Sequence, residues 1–156
     1  MNGRAEVARL HKRLDATFAR VPAATADLEV QSDFAKYLCV LVSGFFENAL
    51  VALLLDYVER RSASEITSFV ERKLDRWTSP KVEKIIELFG SFSGDWRDDL
   101  TGYLVDERKD SINSLVALRH QIAHGESVGT SISQVREHYK AISEVVEYVA
   151  KLLGPK

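Results

Sequence analysis

The residues with the clearest chemistry sit together late in the chain, in Leu118-Arg119-His120-Gln121-Ile122-Ala123-His124-Gly125. On a helix turning ~100° per residue, Arg119 falls near the centre of an apolar face made by Ile112, Leu115, Val116, Ile122 and Ala123. An arginine there cannot shed its charge, so it needs a carboxylate, a bound anion or a water-filled cleft. His120 and His124 lie four apart on one flank of that face. His124 also occupies the last turn before a glycine, where the partial negative charge of a helix C-terminus complements an imidazolium. A guanidinium offers a planar fork of donors to a phosphate, and an imidazole moves protons near neutrality. The bland alternatives are a structural ion pair for Arg119, a helix-end role for His124 and an inert surface role for His120.

The elements that must position these groups are read as helices, because apolar residues recur at helical spacing and no run alternates as a strand would. The reading gives a helix from about Asn2 to Arg20, with Val7, Leu10, Leu14 and Phe18 on one stripe, and a loop over Ala23–Gln31. A long helix starts near Ser32-Asp33 and runs to about Arg60. It is apolar nearly all round, as the buried centre of a bundle is. Ser62 and Glu65 have capping-box spacing and open a helix through Trp77. Ser79-Pro80 opens another, ending near Gly90. A short helix covers Asp95 to about Val105. The motif helix begins at Asp106 and stops near Gly125, and a last helix follows Gly129-Thr130-Ser131. Glu47 and Asn48 interrupt the apolar run of the long helix. A buried acid needs a donor and a buried arginine an acceptor, so Glu47 is expected to meet Arg119 across a helix–helix contact.

Composition bounds the function. The 156 residues suit one domain spanning 1–156, with its core over about 30–153. The net charge is -2, which excludes a globally basic nucleic-acid coat but not a local basic site. Residues 1–20 hold five basic residues against two acids, and residues 94–110 three against six. Either can be a solvated helix face. One cysteine, Cys39, allows no intrachain disulfide, so a reducing cytoplasmic setting is expected. Cys39 reads as a small buried hydrophobe. No signal peptide is read at the N-terminus, and the acid within Tyr37–Leu55 argues for a core helix rather than a membrane span. His120 and His124 match half of a helical metal site, but no third ligand and no zincin glutamate accompany them. No metal and no cofactor are expected. Trp77 and Trp96 read as packing residues, and Asp98-Asp99 as a solvated face.

Arg119-x4-His124, with the polar His120 directly after the arginine and near the end of a late helix, resembles the Arg-x(4–6)-His signature of the HEPN superfamily. Ser43-Gly44-Phe45-Phe46-Glu47-Asn48 in the long helix and the Arg-His-x-Ile-Ala-His-Gly ending are similar to its RiboL-PSP and MAE-like branches. The resemblance covers roughly residues 30–150. It implies an all-α, compact helical bundle of about six helices around a long apolar helix. It also implies a metal-independent endoribonuclease that uses the 2′-hydroxyl of RNA as nucleophile, with Arg119 and His124 catalytic and His120, Glu47 and Asn48 supporting. Two motifs would meet in a homodimer cleft. RNA is then the substrate, an antitoxin or regulatory protein a partner, and toxin action or antiphage defence the setting. The alternative is a non-catalytic module of the same fold that binds nucleotide, RNA or protein.

Overall fold

Every regular element among the described residues, 2–23 and 26–154, is a helix. They are α1 (Gly3–Phe18), α2 (Leu28–Arg61), α3 (Ser64–Leu74), α4 (Val82–Phe92), α5 (Gly94–Tyr103), α6 (Asp106–Ala123) and α7 (Ile132–Leu152) in this computed structural model. The all-α bundle expected from periodicity is the fold found, with seven helices rather than about six. Part of the predicted loop Ala23–Gln31, namely Ala24 and Thr25, lies outside the described residues, as do Met1, Pro155 and Lys156.

The 34-residue α2 is the axis of the bundle. Leu38, Cys39, Val42, Phe46, Ala49, Leu50 and Leu54 are almost wholly buried along it, which is why its sequence is apolar on nearly every face. By length and composition alone this helix could cross a membrane, but most of its apolar window is buried inside the protein. α1, α3, α6 and α7 all pack on it, α4 packs on α5, and α6 on α7. Gly3 is what lets α1 approach, since a Cβ there would lie 2.9 Å from the Ala52 carbonyl. α1 also adds Leu14 and Phe18 to the core, which therefore begins well before residue 30.

Several boundaries differ from the reading above, each for a local reason. α2 starts at Leu28 because the Asp27 carboxylate accepts the Glu29 amide at 2.7 Å. The Leu28 side chain on that first turn is 81% exposed, so the turn follows no apolar stripe. The Ser62–Glu65 capping box does not form. The Ser62 hydroxyl instead donates back to the Val58 carbonyl at 2.8 Å and closes α2, while Ala63 caps α3 with no side-chain bond. α3 ends at Leu74, leaving Trp77 in a linker. Pro80 precedes α4 rather than opening it, and α4 runs past Gly90 to Phe92. α5 begins at Gly94, after Ser93, whose hydroxyl accepts the Trp96 amide. α7 opens with a capping box in which Ser131 and Gln134 bond reciprocally.

Candidate functional site at the end of the motif helix

α6 is closed at its C-terminus and held along its side. At its C-terminus the Gly125 amide bonds to Ile122 O at 3.1 Å and the Glu126 amide to Gln121 O at 2.9 Å. With Gly125 at φ +70 this is a Schellman closure, in which only a residue tolerant of the left-handed region turns the chain. His124 is the C-cap, so its backbone is fixed by that closure. Along its flank, Asn113 accepts the Val82 amide at 3.0 Å and so caps the start of α4. Lys109 pairs with Glu83 at 3.5 Å. The flank contacts moor α6 to the first turn of α4, just after a linker.

That linker carries the unexpected part of the site. Ser79 sits at φ +52, a conformation that a β-carbon disfavours by about 1–2 kcal/mol. Its amide donates to Glu47 Oε2 at 3.0 Å. Its hydroxyl accepts from Arg119 Nη1 at 3.4 Å. The expected Glu47–Arg119 pair is therefore not direct: Ser79 stands between them, bonded to both. No carboxylate lies within 4.0 Å of the Arg119 guanidinium among the described residues. Arg119 is half-buried and Glu47 is half-buried, which is where an indirect link through a hydroxyl and an amide can satisfy each group without fully desolvating either.

His120 and His124 are both exposed, with ring centroids 4.3 Å apart and planes tilted by 54°. Arg119, His120 and His124 thus share the terminal two turns of one helix and open to solvent. Asn48 does not join them. It lines a groove of about 480 Å³ between α1 and α2, with Arg13, Thr17, Arg20 and Tyr37. The grooves along α1–α2, α1–α7 and the two along α6–α7 include none of Arg119, His120 or His124 in their walls. Among the described residues no group of three His, Cys, Asp or Glu side chains is placed to hold a metal ion.

The remaining sequence readings fall into place around this site. Cys39 is fully buried, and burial pushes its thiol up to about 11. Trp96 packs edge-on against Tyr57 and tilted against Phe89 and Phe92. Trp77 is half-buried with its indole N–H unpartnered. Sequence reasoning missed Ser79 and Asn113. Ser79-Pro80 reads as a helix opening, and a residue before proline is biased toward extended backbone, not toward positive φ. Asn113 is one polar residue inside a helix, with nothing to announce that it caps a different one.

The chain was compared with known families, curated proteins and solved structures. One family model, RiboL-PSP-HEPN, matches residues 5–154. No curated protein and no solved structure matches the chain.

Proposed function

The chain belongs to the RiboL-PSP-HEPN family, and on that premise we propose that it is a metal-independent endoribonuclease working as a homodimer. One His124 takes the proton from a ribose 2′-hydroxyl. The freed oxygen attacks the adjacent phosphorus, forming the new P–O2′ bond. The P–O5′ bond breaks, and His124 of the second copy delivers a proton to the departing 5′-oxygen. The products are a 2′,3′-cyclic phosphate and a 5′-hydroxyl. Arg119 holds the phosphate and offsets the charge that builds on its oxygens in the transition state. His120, whose ring lies tilted beside that of His124, orients the phosphate or its neighbouring imidazole.

The observation that carries this reading is the state of Arg119. Its one hydrogen bond within the described chain is a long one to a serine hydroxyl, and no carboxylate neutralises it. A structural arginine would be paired. This one keeps most of its donor fork for an anion, at the same helix end as an exposed imidazole. The setting proposed with it is that of a cytoplasmic toxin or antiphage effector restrained by a partner protein. A chain of net charge -2 suits a restricted substrate read by shape rather than broad RNA binding.

The test is incubation of a mixed RNA pool with excess chelator, using the wild type, Arg119→Ala and His124→Ala. Cleavage by the wild type that both variants abolish supports the proposal. RNA retention without cleavage assigns the chain to the non-catalytic binding class instead.

A further inference from the structure

Away from the motif, α1 and α7 enclose a groove of about 900 Å³ lined by His11, Asp15, Phe18, Arg136, Tyr139 and Lys140, among others. Its floor is a hydrogen-bonded chain. Tyr139 Oη donates to Asp15 Oδ1 at 2.7 Å and contacts His11 Nδ1 at 2.8 Å. Tyr139 has a single proton and gives it to Asp15, so the His11 contact is made by Nδ1–H. Burial, reinforced by the Asp15 carboxylate, holds the Tyr139 phenol well above its ordinary range and keeps that proton in place. The tautomer of His11 is thereby set, with the lone pair on Nε2. No hydrogen bond reaches Nε2 among the described residues, and it is not among the buried unpartnered atoms.

The surroundings are built to hold the chain still. Phe18 stacks on Tyr139 with centroids 5.1 Å apart and planes within 4°. Phe45 abuts both His11 and Tyr139. Arg136 and Lys140 stand four residues apart on α7, so they rise on the same face over the groove. Neither has a carboxylate within 4.0 Å among the described residues; Arg136 lies over the Phe18 ring at 5.2 Å. The one acid in the wall, Asp15, spends an oxygen on Tyr139. The groove is therefore locally cationic on a chain that is net acidic.

We propose that this groove is a second ligand site that takes a phosphate monoester group, held by the Arg136 fork, the Lys140 ammonium and the imidazole of His11. A tetrahedral oxyanion has enough acceptors for all three donors, and a charged donor set of this kind favours it over a neutral ligand. Nε2 of His11, the ring nitrogen not committed to Tyr139, is the one left to meet the anion. The group has two sources of the same chemistry, a phosphorylated RNA end and a small phosphate ester. The site is independent of the nuclease reading, because none of its residues belongs to the motif.

The experiment titrates inorganic phosphate into the full chain and follows the imidazole nitrogens by two-bond 1H–15N correlation, with His11→Gln identifying the His11 signals. Calorimetry gives the affinity. The expected result is a saturable shift at His11 Nε2. Arg136→Gln/Lys140→Gln, two exposed positions, should weaken binding about tenfold to a hundredfold with an unchanged melting temperature. Tyr139→Phe, which keeps the ring and removes the relay, should weaken it too, and Arg119→Ala should leave it unchanged. A 5′-phosphorylated oligoribonucleotide that outbinds both inorganic phosphate and its 5′-hydroxyl counterpart assigns the site to RNA ends. Equal binding of the two oligonucleotides, with inorganic phosphate retained, assigns it to a small ester. A His11 signal that does not move at millimolar phosphate, or binding lost in Arg119→Ala and kept in Arg136→Gln/Lys140→Gln, overturns the proposal.

Discussion

Replacing Ser79 separates its backbone role from its side-chain role. In the wild type the residue accepts a positive φ, fastens its amide to Glu47 and offers its hydroxyl to Arg119. Ser79→Ala keeps the β-carbon, and with it the backbone cost of about 1–2 kcal/mol, while removing the hydroxyl. Ser79→Gly removes both the hydroxyl and that cost, and returns a few tenths of a kcal/mol to about 1 kcal/mol through the more flexible unfolded chain. The lost bond, at 3.4 Å, is near the limit of hydrogen-bond geometry, so about 0.5 kcal/mol is a fair figure for either variant. Ser79→Ala should then be the less stable of the two by up to about 1.5 kcal/mol, which for a domain of this size is up to roughly 3–6 °C in melting temperature. Cleavage should fall alike in both, because both release the guanidinium. Thermal melts followed by circular dichroism, beside initial cleavage rates, read the two effects. An alanine variant that melts above the glycine variant contradicts the positive φ. An alanine variant that cleaves like the wild type contradicts the hydroxyl's hold on Arg119.

Other outcomes follow from the same geometry. Glu47→Ala leaves the Ser79 amide unpaired in a half-buried place and should cost about 1–2 kcal/mol in chemical denaturation; cleavage should fall further than in Glu47→Gln, which can still accept the bond. Asn113→Ala removes the cap on the Val82 amide, an expected loss of about 1 kcal/mol, read as a lower denaturation midpoint. Cys39 should resist thiol reagents at neutral pH until the chain unfolds. Its raised folded value means the unfolded chain loses that proton first, so stability should decline as pH rises from about 9 to about 11, a slope that Cys39→Ala flattens. His138 is lowered by burial, so the unfolded chain binds its proton first as pH falls. Stability should drop below about pH 6.5, and less so in His138→Gln.

The long helix was legible because burial on all sides leaves a compositional trace that no surface helix shares. The motif was legible because Arg119, His120 and His124 depend only on spacing along one helix, and helical spacing is local. The Gly125 closure was legible for the same reason. The link from Glu47 to Arg119 was half legible: the need of each charge for a partner is written in their apolar surroundings, but the identity of the go-between is not. Ser79 reaches its place only because a linker from a different part of the chain folds between α2 and α6. Asn48 shows the converse. It neighbours Glu47 in sequence, but one residue along a helix is ~100° around it, which carries its side chain into the α1–α2 groove. The start of α2 was missed because Asp27 outcompetes Ser32 and Asp33 with a cap that needs no apolar neighbour.

The chemistry of the cut ends tests the central claim most directly. RNA incubated with the purified wild type in excess chelator, digested and resolved by liquid chromatography and mass spectrometry, should carry 2′,3′-cyclic phosphates and 5′-hydroxyls at every new break. Breaks that carry 3′-hydroxyls and 5′-phosphates, or RNA that stays whole, would contradict the account.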